Sequence, residues 1–239
     1  MINYYLKQTP PETSSNLEQY RHLILDGTFI RRPRSLIAVM DAKTHTLIAG
    51  QYGVPENSEP KLIKFLAGLK QFGLNPHSFT VDGNRVVMEV IRKLWPGIIV
   101  QRCLVHIQRQ GLSWCRISPK TTYARHLRKV FLQVTRIRTG EDRSEFLSDV
   151  IEWEVKFGER IRERRKTGYV LSDIKRARSM LLRALPDMFH YLDDPMIPIS
   201  TNGLEGYFSR LKGHYRQHRG LRKEKLKNYF QWYFHFILK

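Results

Sequence analysis

The sequence predicts an α/β chain. A mixed sheet opens as a three-stranded antiparallel meander, continues in parallel strands, and is interrupted by an all-helical insertion before the last helices. Three observations predict it. Three short apolar runs lie close together near the start, separated by turn residues. A strand-helix-strand pattern follows at His77 to Gln110, with an acid at the end of one strand and a Cys-x-x-His pair just beyond the other. From about Leu104 to Pro195 the apolar spacing is helical almost throughout.

Each element has its own signal. Residues 1–20, with the pair Pro10-Pro11, read as a loose leader. His22 to Ile30, Ser35 to Met40 and Thr46 to Val54 read as strands, with Arg32-Pro33-Arg34 and Asp41 to Thr44 as hairpin turns. Pro60 opens a helix carrying Leu62, Phe65, Leu66, Leu69 and Phe72, and Gly73 ends it. Phe79-Thr80-Val81 is a strand stopping on Asp82-Gly83. Val87, Val90, Ile91, Leu94 and Trp95 then share a helix face, Pro96-Gly97 closes that helix, and Ile98 to Val100 is the next buried strand. In the insertion three stripes stand out: Leu127 to Ile137, Phe146 to Phe157, and Ile174 to Leu185. Ser200 to Glu205 opens a further helix, and a last one, Leu226 to Leu238, is aromatic-rich through core packing. A meander continued by parallel strands and helices is the plan of a ribonuclease-H-like fold. The expected organisation is a leader at 1–20, the first part of that core at 21–110, a helical insertion at 111–199 and the core's C-terminal helices at 200–239.

The charge balance points to the partner. Lys and Arg number 41 against 22 Asp and Glu, a formal net charge of +19, in a chain whose 41% hydrophobic content marks it as globular. A surplus of that size implies a polyanion, most often nucleic acid; a merely solvated basic surface is the bland alternative. The basic residues flank apolar core helices, which argues against a membrane-surface helix. Two cysteines make no disulfide framework, the opening MINYYLKQTPPETSSN lacks a signal-peptide pattern, and no run has the apolar length of a membrane span. The expectation is a soluble, cytoplasmic, DNA-associated protein.

The acids suggest chemistry. Asp26 sits within LILDGTFI, where a carboxylate without a positive neighbour is costly, so an Arg or a metal ion should lie beside it. Asp82 ends an apolar strand, and Asp-Gly is also an ordinary turn starter. Two strands each carrying apolar-Asp-Gly would be neighbours in this sheet, and their carboxylates would repel unless a divalent cation screened them. Glu205 reads either as part of a capping box, Asn202-x-x-Glu205, or as a third acid brought back to the sheet. Oxygen-rich sites of this kind suit Mg²⁺ or Mn²⁺ rather than zinc.

These residues resemble those of the Mutator-type transposases, the plant Mutator-like elements and their bacterial insertion-sequence relatives. The likeness rests on Asp26 in a first strand, Asp82-Gly83, the run from Trp95-Pro96 to Gln101-Arg102-Cys103 and His106, TNGLEGYFSRLK from Thr201, and His218 to Leu221. The resemblance implies a ribonuclease-H-like catalytic core with a helical insertion and an acidic triad of Asp26, Asp82 and Glu205 holding Mg²⁺ or Mn²⁺. It also implies cleavage of DNA at element ends with joining of the 3′ hydroxyl to a target, by a dimer or higher assembly. Members carry a DNA-binding region ahead of the first catalytic strand, and only about 25 residues precede Asp26 here, so the expectation is a core without that region.

Cys103 and His106 match the family's Cys-x-x-His motif. With Cys115 and His126 they could be counted as four zinc ligands, but the spacings are irregular and a metal-free reading is preferred. Two basic runs are candidates for DNA. Lys156 to Arg178 lies on the insertion, and Arg210 to Lys227 carries eight Lys or Arg against one Glu. The second follows the triad's glutamate, so Arg210, Lys212, Arg216, Arg219, Arg222 and Lys223, together with Arg102, are the expected phosphate contacts. Besides a strand-transferase core, the sequence leaves open a nuclease that hydrolyses without joining and a transposase-derived DNA-binding protein without chemistry.

Overall fold

The computed structural model describes residues 2–10, 16–163, 169–218 and 220–237. The chain divides into two compact units, Met1–Val100 with Met196–Lys239, and Gln101–Pro195.

The first unit begins with a single helical turn, α1 (Ile2–Tyr5), and then forms the meander β1 (His22–Arg31), β2 (Arg34–Asp41) and β3 (Leu47–Tyr52). Both pairings are antiparallel, and Asp26 of β1 stands opposite Ala38 of β2. Helix α2 (Glu59–Gln71) starts with Pro60 in its first turn, where a missing N–H costs nothing. It stops at Gly73, whose φ of 88° is open to glycine without strain. Next come β4 (Ser78–Val81), α3 (Arg85–Leu94) and β5 (Ile99–Arg102). The sheet order is β3-β2-β1-β4-β5, with β4 parallel to β1, so the sheet is mixed as the sequence predicts. β5 runs further than its apolar residues suggest: it takes in the buried polar residues Gln101 and Arg102.

The second unit is helical after the end of β5: α4 (Leu104–Cys115), α5 (Thr122–Gln133), α6 (Gly140–Trp153), α7 (Glu159–Glu163), α8 (Tyr169–Ala184) and the short α9 (His190–Asp193). Its core is made by the stripes expected from sequence, with Leu127, Val130, Phe131, Phe146, Val150, Trp153, Ile174, Ala177 and Leu181 all buried. α4 and α5 approach closely because Gly111 leaves room for the Phe131 ring. Trp153 is a core residue whose indole N–H donates to the Tyr123 carbonyl at 2.9 Å. The fully buried Gln101 amide donates to the Met188 carbonyl at 2.9 Å and to the Arg102 carbonyl at 2.8 Å, while its Oε1 accepts no hydrogen bond.

The chain returns to the first unit with α10 (Asn202–Arg216) and α11 (Lys223–Ile237). The two faces of its sheet are covered differently. Leu23, Leu25, Ile37 and Val39 pack with Leu62, Leu66, Val87 and Ile91 of α2 and α3. Ile24, Ala38 and Met40 pack with Leu204, Phe208, Leu211, Phe230 and Phe234 of α10 and α11. Alternation along the strand therefore puts Asp26 on the α10 face, two residues after Ile24.

The leader is not loose where it is described. Leu6 and Leu17 are buried, Asn228 donates to the Leu6 carbonyl at 3.2 Å, and Trp232 donates to the Gln8 carbonyl at 3.0 Å. Its isolated apolar residues give no periodic signal, yet the segment around Leu6 lies against α11, and Leu17 joins the core of α2 and α3, donating its N–H to the Phe72 carbonyl at 3.2 Å. The basic residues at 164–166, together with Arg219 and Leu238, fall outside the described residues. No helix among the described residues is long and apolar enough to cross a membrane.

Candidate metal centre

Register brings the first two acids together. Parallel pairing sets His22 beside Ser78, Leu23 beside Phe79 and Ile24 beside Thr80. Carried two residues further, the same offset sets Asp26 beside Asp82, just past the end of β4. Thr80 pairs with Ile24, so Asp82, two residues on, emerges on the same α10 face as Asp26. The Thr80 hydroxyl donates to the Pro198 carbonyl at 2.8 Å, tying the segment before α10 to this strand.

Each carboxylate is held by its local backbone. Asp26 accepts the Gly27 N–H at 2.9 Å. Asp82 accepts the Asn84 N–H at 2.9 Å, and Asn84 caps α3 by accepting the Val86 N–H at 3.0 Å. The turn chemistry of Asp-Gly and the functional position of Asp82 therefore coexist: one carboxylate oxygen shapes the turn that aims the side chain. Gly83 has a φ of 96°, which a side chain would make strained.

A third acid joins them that sequence reasoning missed. Glu56 lies in the loop between β3 and α2, and one ligand atom each from Asp26, Glu56 and Asp82 falls within 4.8 Å of the others. Glu56 can approach because Gly27 has no side chain: a Cβ there would meet Glu56 Cγ at 2.7 Å and Cδ at 2.9 Å. A glycine inside an apolar strand is itself the signal of such an approach. Asp26 is buried, while Glu56 and Asp82 are half-buried, so the cluster has an open side. Like charges at this spacing repel by about 3 kcal/mol per pair at an effective dielectric near 20. The donor set is oxygen only, partly open and triply acidic, which fits Mg²⁺ or Mn²⁺.

Glu205 lies outside that cluster of three. Thr201, not Asn202, is the N-cap of α10, so Glu205 is the fourth helical residue and the expected Asn202 capping box does not form. Gly203 lets the helix start close against the sheet, with its missing Cβ 3.1 Å from Met40 Sδ and 3.8 Å from Ile24 Cδ1. Lys212 donates to the Thr28 hydroxyl at 2.5 Å. Thr28 shares Asp26's strand face, and Glu205 and Lys212, seven residues apart, share one flank of the helix. α10 thus runs along β1 in the same direction, with the flank bearing Glu205 turned to the side of the sheet that bears Asp26.

The other expected residues are distributed as follows. In the second unit His106 Nδ1 lies 3.3 Å from Cys103 Sγ, at the start of α4, where Cys103 is the N-cap. Cys115 is buried, and loss of water pushes its thiol up to about 12, opposed by Arg128; that is the state of an inert core thiol. Among the described residues, the one group of three or more His, Cys, Asp or Glu side chains close enough together to hold a metal is the acidic one. Arg102 is only 7% exposed, which leaves its guanidinium little surface for DNA. Arg210, Arg216, Arg222 and Lys223 are exposed and Lys212 is half-buried. In the other basic run, Arg178 makes a two-pronged pair with Glu154 at 2.6 and 2.8 Å, Arg176 lies 3.8 Å from Asp173, and Lys175 donates to the Arg162 carbonyl at 3.1 Å.

Comparison with known families decides the kinship. Residues 26–167 match the family described as Transposase, Mutator family, which is well over half of the chain. The chain belongs to the Mutator family of transposases. The Mutator match begins on Asp26 and includes Glu56, Asp82, Cys103 and His106, while Glu205 lies beyond its end. No curated protein matches the chain.

Proposed function

We propose that this Mutator-family chain is a catalytic core of ribonuclease-H-like plan that cleaves DNA strands and joins the freed 3′ hydroxyl to a target. Asp26, Asp82 and Glu205 act as its essential acids, and Glu56 contributes to the same centre. The observation that carries the reading is the convergence of Asp26 and Asp82 on one face of adjacent parallel strands, with a third carboxylate inside 4.8 Å.

The chain's own part is to hold negative charge at fixed points. Asp26 is anchored in a central strand and Asp82 by its turn, so neither carboxylate must reorganise to receive a cation. Glu205 enters from the first turn of α10, where the helix dipole favours an acid. A divalent cation bound there supplies the charge that activates an attacking oxygen and stabilises a leaving one in phosphoryl transfer. In cleavage, water attacks phosphorus and the P–O3′ bond breaks, giving a free 3′ hydroxyl. In joining, that hydroxyl attacks a target phosphodiester, one P–O bond forms as another breaks, and no external energy source is needed. The net charge of +19 supports a DNA substrate, and assembly as a dimer or more belongs to the same proposal.

The test is a joining assay with a labelled duplex bearing a 3′ hydroxyl, supercoiled plasmid and Mn²⁺. Transfer of label to plasmid, absent in Asp82→Ala, is the expected result. Nicking without label transfer would reduce the activity to hydrolysis, and DNA binding without either reaction would remove the catalytic reading.

A further inference from the structure

Beyond the acids, the first unit holds a cavity of about 640 Å³, six of whose nine lining residues are cationic. Arg31 and Arg34, from the end of the β1–β2 hairpin, face Lys212 and Arg216 of α10 and Arg222 and Lys223 at the start of α11. None of the described lining residues is acidic, and none of these six cations forms an ion pair with a described carboxylate. Six positive groups held around one hollow repel one another, and a fold keeps such an arrangement when an anion fills it. Ile30, Tyr215 and Leu221 complete the wall.

The cavity's position says which anion. Arg31 lies five residues beyond Asp26 on β1, about 16 Å along the strand. Arg216 lies eleven residues beyond Glu205 on α10, also about 16 Å. Glu205, Lys212 and Arg216 follow one another on a single helix flank. Strand and helix therefore lead from the acids to the cavity side by side, with the Lys212–Thr28 bond between them. A span of about 16 Å is the rise of roughly five nucleotides of B-form DNA. A polyanion with regularly spaced charges can meet both ends of this track, whereas a lone small anion meets one.

We propose that this cavity is a backbone-holding site for DNA, binding phosphodiester groups of the strand whose reacting phosphate lies at the acids. The inference rests on the catalytic reading for its orientation, but its contacts need no chemistry. Arg31 and Arg34, outside the basic run that follows Glu205, are as much a part of it as the α10 and α11 residues.

The experiment measures DNA affinity against salt concentration without divalent metal, so cleavage plays no part. The full chain is compared with a triple variant, Arg31→Gln, Arg222→Gln and Lys223→Gln, all exposed positions. A control triple, Lys7→Gln, Lys43→Gln and Lys64→Gln, removes the same charge from exposed positions elsewhere. Each phosphate contact contributes about 0.9 to the slope of log affinity on log salt. The slope should fall by about two to three in the cavity variant and by less than one in the control. Equal falls in both, or no fall in the cavity variant, would overturn the proposal. Circular dichroism and melting of each variant establish that it is folded, and the single variant Arg222→Gln, expected to lower the slope by about one, serves if the triple does not fold. Asp82→Ala should keep the full slope, so a chain that binds through the cavity yet never cuts separates failure of the catalytic reading from failure of this one.

Discussion

Asp26 and Asp82 are far apart in sequence and adjacent in the sheet, because β1 and β4 pair in parallel with one constant offset from His22 and Ser78 onward. The offset matters more than either residue alone. A slip of one position would turn Asp82 to the opposite face, against α2 and α3, and separate the two carboxylates. The apolar residues enforce the register: Phe79 and Val81 are fully buried on that opposite face, so the polar residues at 80 and 82 have no choice of side.

The close approach of Glu56 to Gly27 gives the first prediction. In Gly27→Ala the new methyl would collide with the Glu56 side chain at 2.7 Å, and a flexible side chain yields more readily than backbone. Stability should change by less than about 1 kcal/mol, while Mn²⁺ affinity falls several-fold. Denaturant melts and Mn²⁺ titration of the same variant check both halves; unchanged affinity would detach Glu56 from the centre.

Glu205 and Asp26 should behave differently when neutralised. Asp26→Asn removes a member of the cluster and should weaken Mn²⁺ binding and abolish strand cleavage together. Glu205→Gln, outside the cluster, should abolish cleavage with a smaller loss in Mn²⁺ affinity. Titration and nicking assays on the two variants read the difference, and identical losses in both measurements would place the two acids in equivalent roles.

Alkaline stability has a sign set by burial. Desolvation pushes the Cys115 thiol from 9.0 to about 12 and the Tyr191 phenol from 10.0 to about 12. The folded chain therefore keeps protons that the unfolded chain releases. Stability from these groups is intact below pH 9 and is lost as pH climbs from 9 towards 12. Urea midpoints should fall across that window, and Cys115 should resist alkylation at pH 8 until the chain unfolds.

The Glu154–Arg178 pair, with side chains 25% and 22% exposed, should matter more than the surface pairs. Glu154→Gln leaves a half-buried guanidinium without its charge partner and should cost about 1–2 kcal/mol. Replacing Arg85, paired with Glu89 on the surface, by Gln should leave the denaturation midpoint unchanged. Chemical denaturation of the two variants makes the comparison.

Much of this was legible in the sequence, and the misses share a cause. The strands, α2, α3 and the three stripes of the insertion have strong periodicity, and burial follows it. Asp26 and Asp82 could be paired because each stands in an apolar-Asp-Gly run, in strands that a crossover must make neighbours. Glu56 has no such mark: it sits in an aperiodic loop, and its position depends on a gap at Gly27 that only tertiary packing reveals. Gln101 and Arg102 look like strand-ending polar residues, yet β5 takes in both and buries them, with the Gln101 amide donating to the Met188 carbonyl. Leu6 and Leu17 are single apolar residues in polar surroundings, and only the fold supplies the surface that covers them.

If the acid cluster is a divalent-metal centre, its occupancy should govern DNA cutting. The most direct measurement follows single-turnover nicking of plasmid as Mn²⁺ is raised, reading free Mn²⁺ by electron paramagnetic resonance in the same samples. It uses the full chain and Asp82→Asn. Nicking by the full chain should rise in step with bound Mn²⁺, and the variant should lose both Mn²⁺ binding and nicking while still retaining DNA. Equal Mn²⁺ binding by the two proteins, or nicking by the variant at the full chain's rate, would contradict it.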